Sequence, residues 1–385
     1  MTIQNTVIDR DLLIEDSPGH KAPFDEDRLK HSVLQLEDGT IFEGTSFGYR
    51  RETAGEVVFS TGMVGYPEAL TDASFAGQIL AMTYPIIGNY GVPDQSLWED
   101  DKIHVSGLIV SNYIDLPSHA QSTMNLGTWL QREKVPALEI KDTRLLTQYI
   151  RTHGTMLGKI VFDTGIPFYD PNTDNLVSQV STKQPLQNGS GDTTIALIDC
   201  GAKRNIVRSL LGRNVRVITV PWDYDLFSPA NSFAFDGIVV SNGPGNPKMV
   251  KKTIQTIQTA LERKIPTLGI CLGHQLLALA AGGDTYKLKF GHRSQNQPCL
   301  LHDTKRCYIT TQNHGFAVGV LPPAFDPWFV NANDGSNEGM QHRQYPFLSV
   351  QFHPEAAPGP MDTEWIFDYF LERIGRVRAW HEYTA

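Results

Sequence analysis

The chain has 385 residues, of which 41% are apolar and 19% charged, and a formal net charge of −9. That length suffices for two domains, each burying its own core, and the ordinary apolar content marks a globular protein. An acidic balance with no basic block argues against a nucleic-acid surface, and no apolar run approaches the ~20 residues that cross a bilayer.

Residues 1–30 are polar, with Ser17-Pro-Gly-His-Lys-Ala-Pro23 at their centre, and are expected to form a mobile arm. This segment lacks the apolar core of a signal peptide and carries too many acids for a transit peptide, so a cytoplasmic location is expected. Order is expected from Ser32-Val-Leu-Gln-Leu36, which turns at Asp38-Gly39 into Ile41-Phe42, the signature of a hairpin. Strand-like runs follow at Glu56–Phe59, Gln78–Met82 and Gly107–Val110. A helix is predicted from Ser122, and another from the cap Asp142 to a stop at Gly154. Residues 31–180 thus read as a mixed α/β domain, and the polar stretch 181–192 as a linker.

Residues 193–385 alternate cleanly. Strands are predicted at Thr194–Asp199, Val215–Val220, Gly237–Val240, Ile265–Ile270 and Leu348–Phe352. Helices are predicted at Asn205–Leu211, about 250–263, Gln275–Ala281 and about 363–374. That alternation implies an α/β fold with a doubly wound parallel sheet, whose chemistry lies at the carboxyl ends of its strands.

Three loops fall on that rim. The first, Gly269-Ile-Cys-Leu-Gly-His-Gln275, carries Gly-x-Cys-x-Gly, the thiol counterpart of a nucleophile elbow. A nucleophile on so sharp a strand-to-helix turn strains the backbone, and its neighbours must lack a Cβ. The helix N-terminus behind Cys271 favours thiolate over thiol. The second loop, Phe352-His-Pro-Glu355, supplies a base and its orienter, because residues two apart in an extended segment point the same way. His274 and His314 are rival bases, ranked below His353 because only His353 has a carboxylate two residues on. His314 reads as a loop residue. The third, Ser241-Asn-Gly-Pro-Gly245, offers backbone N–H groups; Gly243 with Leu272 makes a candidate oxyanion hole. No Lys-Ser/Thr follows it, so a nucleotide P-loop is not expected. The four cysteines, Cys200, Cys271, Cys299 and Cys307, form neither a disulfide framework nor a metal pair, and the histidines show no His-Glu-x-x-His, so no metal site is expected.

These three loops together resemble the triad-type class I glutamine amidotransferases. Further upstream, Gly55-Glu-Val-Val-Phe59, Gly65-Tyr-Pro-Glu-Ala-Leu-Thr-Asp72, Thr83-Tyr-Pro85, Gly88-Asn-Tyr-Gly91, Asp142-Thr-Arg144 and Asp199-Cys-Gly-Ala-Lys203 are similar to the small subunit of carbamoyl phosphate synthetase, as is Gln312-Asn-His-Gly-Phe-Ala317. The resemblance covers residues 32 to 375. It implies Cys271 as nucleophile, His353 as base and acid, and Glu355 as orienter. It implies glutamine held by Ser74, Gly243, Gly245, Leu272, Gln275, Asn313, Gly315 and Phe316. Asn246 departs from the aspartate usual in the family. The implied partner is a large ATP-dependent synthetase subunit that makes carbamoyl phosphate from bicarbonate. ATP and Mg belong to that subunit, with no cofactor in this chain. A stand-alone cysteine hydrolase and a non-catalytic binding module are the competing readings. The first leaves residues 31–180 without a task, and the second leaves a filled triad unexplained.

Overall fold

The computed structural model describes residues 32–384, with side chains to residue 377; the expected arm over 1–30 lies outside the described residues. The first region is a closed seven-stranded barrel. Its strands are β1 (Ser32–Leu36), β2 (Ile41–Ser46), β3 (Thr53–Ser60), β4 (Gln78–Met82), β5 (Gly107–Val110), β6 (Ala137–Glu139) and β7 (Met156–Val161), in the order β1-β2-β6-β5-β4-β3-β7. β1 and β2 pair as the expected hairpin, Leu34 opposite Phe42. β3 to β6 run parallel. Their side chains alternate between two cores. Val57, Ile79 and Ile109 pack with Leu146 and Ile150, whereas Val58, Leu80 and Leu108 pack with Leu126 and Trp129. Burial on both faces explains why these strands read as unbroken apolar runs.

Three helices serve the barrel: α1 (Tyr66–Thr71), α2 (Leu126–Arg132) and α3 (Thr143–His153). Asp142 caps α3 by accepting the Leu145 N–H at 2.8 Å, and Gly154 ends it at φ +103°. α2 starts four residues later than expected. Asn125, not Ser122, is its cap, accepting the Thr128 N–H at 2.7 Å.

A short α4 (Val177–Val180) leads to a ten-stranded sheet. Its strands are β8 (Leu186–Asn188), β9 (Thr193–Asp199), β10 (Val215–Pro221), β11 (Gly237–Val240), β12 (Thr267–Ile270), β13 (Asp284–Leu301), β14 (Cys307–Val320), β15 (Phe325–Asn331), β16 (Asn337–His342) and β17 (Phe347–Val350). They are ordered β14-β13-β15-β16-β17-β12-β11-β9-β10-β8. The five strands from β17 to β10 are parallel. On one face α5 (Arg204–Leu211) and α8 (Trp365–Thr384) cover Ile195, Leu197 and Val239. On the other, α6 (Lys251–Glu262) and α7 (Leu272–Ala280) cover Ala196, Ile198 and Val240. Each fully buried aliphatic side chain contributes roughly 1.5–3 kcal/mol, so this two-sided cover sets the register of every strand that carries a rim loop.

Two features go beyond the expected parallel sheet. Leu186–Asn188, within the expected linker, pairs antiparallel with β10 as an edge strand. On the far edge, β13 to β16 form an antiparallel extension, so Gln312–Phe316, expected as a loop, lies inside β14. Its inward residues are polar, among them Arg293, Thr311 and Asn313, all buried. An apolar-alternation test therefore passes over these strands.

Candidate active site

Cys271 follows β12 directly and caps α7 with φ +53° and ψ −103°, a conformation that non-glycine residues rarely hold. The glycines on either side are required by space. A Cβ at Gly269 would lie 2.4 Å from the Gly273 carbonyl oxygen, and one at Gly273 would lie 2.1 Å from that of Val240. The thiol is buried. Its Sγ lies 3.7 Å from the Asn313 carbonyl oxygen and receives the Gln351 amide at 3.7 Å.

His353 is buried beside it. Nδ1 bonds Glu355 Oε1 at 2.7 Å, which leaves Nε2 without a conventional partner and facing the sulfur. Burial opposes a charged ring. The Glu355 carboxylate and then Cys271 outweigh it and raise the His353 pKa to about 10. Glu355 shows the reverse balance. Burial would raise its pKa, but Lys203 and His353 hold it at about 2. The site therefore stores an imidazolium–carboxylate pair out of water, where charge interactions are strong.

Lys203 is the member of this array to which sequence reasoning gave no role. It is buried, its Nζ lies 3.2 Å from Glu355 Oε1, and it also donates to the Ala356 carbonyl. Burial presses its pKa down, but Glu355, Glu99 and Asp72 prevail and raise it. Asp199 shapes the turn before it, accepting the N–H groups of Gly201 at 2.9 Å and Ala202 at 2.8 Å. A lysine four residues past a strand carries no sign of burial in its sequence; the motif Asp199–Lys203 was the only signal.

The rival bases point elsewhere. His274 Nδ1 bonds Ser349 Oγ at 2.9 Å, and burial alone lowers its pKa to about 3. His314 turns Nδ1 to the Phe316 carbonyl at 2.8 Å and Nε2 to Gln312 Oε1 at 3.1 Å. Burial and then the neighbouring His292 hold its pKa far below the usual range. His292, His314 and Glu338 are the one group among the described residues with ligand atoms close enough to hold a metal, all within 4.8 Å. Glu338 already accepts from Gln312 at 2.9 Å and Asn331 at 3.1 Å.

A pocket opens over the thiol. Ser74, Gly243, Gly245, Leu272, Gln275, Asn313, Gly315 and Phe316 all line it, as do Glu56, Arg293 and His314. His353 and Glu355 lie outside it; His353 borders an adjoining cavity with Lys203, Ala357 and Pro358. Ser74 reaches the pocket from the barrel. Asp72 beside it accepts the Ser74 N–H at 2.9 Å, Asn242 Nδ2 at 3.2 Å and Asn313 Nδ2 at 3.0 Å, tying both regions together. Asn246 accepts the Lys248 N–H at 3.0 Å, capping a turn that an aspartate would cap equally.

Comparison with known proteins agrees with this architecture. Residues 196–373 match the family model "Glutamine amidotransferase class-I", so the sheet and its elbow form a glutamine amidotransferase domain of that class. Residues 34–160 match "Carbamoyl-phosphate synthase small chain, CPSase domain". The chain thus carries a region similar to the carbamoyl-phosphate synthase small chain beside its amidotransferase region. It is 45% identical to multifunctional protein URA2 of Saccharomyces cerevisiae, over 89% of this chain and 17% of that protein. It is 49% identical to multifunctional protein CAD of Squalus acanthias, over 89% and 16%. With mitochondrial carbamoyl-phosphate synthase [ammonia] of Homo sapiens the identity is 47%, over 90% and 24%. The chain thus spans a quarter or less of the length of each of these relatives. Among the described residues no helix is long and apolar enough to cross a membrane.

Proposed function

We propose that the chain is the glutaminase component of a carbamoyl phosphate synthase. The observation that carries this reading is the buried His353–Glu355 pair beside Cys271, whose thiol lines a pocket together with Gln275 and Asn313. His353 Nε2 holds the proton that Cys271 has given up, and the thiolate attacks the γ-carboxamide carbon of L-glutamine. The oxyanion of the tetrahedral intermediate sits against the Gly243 and Leu272 N–H groups. Imidazolium returns the proton to the departing nitrogen, ammonia leaves, and a γ-glutamyl thioester remains. Water, deprotonated by His353, cleaves the thioester to glutamate and free thiol. Glu355 holds the ring and stabilises its charged form, and Lys203 keeps Glu355 ionised.

The ammonia passes to a large ATP-dependent synthetase unit, where ATP and Mg²⁺ act on bicarbonate. In bulk water near neutral pH it would become ammonium and lose its nucleophilicity. A second cavity, lined by His353, Lys203, Asp72, Ala357 and Pro358, adjoins the site. All four cysteines are free, which suits a reducing cytoplasm.

Idle hydrolysis wastes glutamine, so the lone chain is expected to be a poor glutaminase. Docking of the synthetase then improves the alignment of elbow, base and oxyanion loop, where small displacements change rates greatly. Measurement of kcat for glutamine, first alone and then with the synthetase, ATP and bicarbonate, should show a rise of at least about tenfold. A lone chain of full and unchanged activity would instead favour a self-sufficient hydrolase.

A further inference from the structure

Gln351 takes no part in the chemistry above, yet its side chain ends at the reacting sulfur. It is the first residue after β17, whose parallel pairing with β12 sets Val350 beside Ile270. The next residue on each strand is then Gln351 and Cys271. The Cys271 N–H donates to the Val350 carbonyl at 2.9 Å, and the Gln351 N–H to that of Glu338 at 2.9 Å. Gln351 is fully buried and lines neither of the two cavities described above. A primary amide so far removed from water is costly unless its polar atoms find partners.

The hydrogen-bond network fixes which way that amide points. Gln275 Nε2 donates to the Phe316 carbonyl at 2.8 Å, and a carbonyl oxygen can only accept. The same nitrogen donates to Gln351 Oε1 at 3.1 Å. Gln351 therefore turns its oxygen to Gln275 and its NH₂ to Cys271 Sγ, 3.7 Å away. A flipped amide would set two NH₂ groups against each other. On another side of the sulfur lies the Asn313 carbonyl, also at 3.7 Å. That oxygen can take a thiol proton but offers nothing to a thiolate. Gln351 has the opposite preference. A thiol is a weak acceptor, whereas a bond to an ionised acceptor is roughly twice as strong as a neutral one.

We propose that Gln351 is a catalytic donor that holds the Cys271 thiolate, with Gln275 as the positioning residue that aims it. The proton of the thiol goes to His353, and the Gln351 N–H favours the charge left on sulfur. This rests on the glutaminase reading and adds a group that selects the ionised nucleophile, beside the imidazolium and the helix N-terminus. Because Gln275 also lines the pocket, one hydrogen bond joins the pocket wall to the donor that faces the sulfur. Loss of a hydrogen bond to a charged acceptor should disfavour the thiolate on the order of ten- to a hundredfold.

The test follows the ultraviolet absorbance of the thiolate against pH in the 385-residue chain, with the Cys271→Ser chain subtracted so that only Cys271 contributes. Gln351→Met removes the donor at similar length and volume. Gln351→Glu, a second variant in case the first does not fold, keeps an oxygen toward Gln275 and places another where the donor stood. In each, the acid limb of the titration should move up by about one pH unit or more, which is the tenfold loss just given. Calorimetric binding of L-glutamine separates this role from mere support of the pocket wall. In a chain already carrying Cys271→Ser, adding Gln351→Met should leave glutamine affinity within about threefold, because Gln275 keeps its bond to Phe316. An acid limb unmoved in the folded variants overturns the proposal and leaves the glutaminase reading standing. An unmoved limb joined to weaker glutamine binding overturns it too, and makes Gln351 a prop for Gln275. A wild-type titration indistinguishable from that of Cys271→Ser means that no thiolate forms at the elbow, and sinks both.

Discussion

The parallel and antiparallel parts of the ten-stranded sheet contribute different things to one site. β12 and β17 lie side by side in the parallel part. Their ends carry Cys271 and His353, with the Gly243 loop following the adjacent β11. Each reacting group is thus fixed by a strand buried on both faces. β13 and β14, in the antiparallel extension, carry Arg293, Asn313, Gly315 and Phe316, which line the pocket without joining the His353–Glu355 pair. In the proposed reaction the parallel strands hold the reacting atoms in place, and the extension shapes what reaches them. The barrel sides with recognition, through Ser74 and Asp72.

If that division holds, changes in the parallel part should strike kcat, and changes elsewhere should strike affinity. The largest effect is expected from Cys271→Ser. It should reduce glutamine-dependent turnover by at least about 10⁴-fold, because an alcohol so placed is rarely ionised. One sulfur-to-oxygen change barely alters volume, so the melting temperature and glutamine affinity should stay close to wild type. In complex with the synthetase, added ammonia should still yield carbamoyl phosphate. Glutamine turnover within tenfold of wild type would name a different nucleophile.

The two halves also differ in how far they can be read without coordinates. The parallel strands announce themselves as apolar runs, and the elbow and His353-Pro-Glu355 as spacings with a mechanical reason. The extension hides because its inward side chains are polar, each meaningful only beside its partner. Arg293 in a chain and Arg293 buried in the pocket wall are different objects, and only tertiary placement separates them. Lys203 and Asp72 escaped for the same reason: a charge is read as solvated until burial is seen. His314 shows the opposite failure. A histidine in a loop can line a pocket as a base, but inside β14 both its nitrogens are committed.

The second expected effect separates base from orienter. His353→Asn should cost on the order of 10² to 10⁴ in kcat, and Glu355→Gln less. The charge change in Glu355→Gln shows most clearly in the pH profile. In the wild type, His353 keeps its proton up to about pH 10 because Glu355 and Cys271 outweigh burial. Removing the carboxylate lets burial prevail, so the basic limb of kcat should move toward neutral pH. The linked stability runs in opposite directions for the two groups. The raised His353 pKa contributes fully below the unfolded value of about 6.5 and is lost as pH climbs through about 10. The depressed Glu355 pKa contributes above its ordinary 4.5 and is lost as pH falls toward about 2. A basic limb unmoved in Glu355→Gln would remove Glu355 from the proton-handling unit.

The smallest effect is expected at the seam, from Asp72→Asn. Asp72 offers Oδ1 to the Ser74 N–H and Asn242 Nδ2, and Oδ2 to Asn313 Nδ2. An amide can keep its oxygen toward the two donors on one side, but its NH₂ then meets the Asn313 amide donor to donor. One hydrogen bond to a charged acceptor is lost, and Asn313 is released to turn in the pocket. A loss of that kind costs about 1.5 kcal/mol, or roughly tenfold, and it falls on the wall of the pocket, away from the sulfur and the His353–Glu355 pair. KM for glutamine should therefore rise about tenfold while kcat stays within about threefold. Asn242 complicates the picture in an informative way. Its Oδ1 also accepts the Lys203 N–H at 3.0 Å, so a disturbance at Asp72 has one path into the array that holds Glu355. A fall in kcat with KM unchanged would mean that this path dominates. The barrel would then act on the chemistry through Asn242 and Lys203, and the division between reacting and recognising parts would fail at its seam.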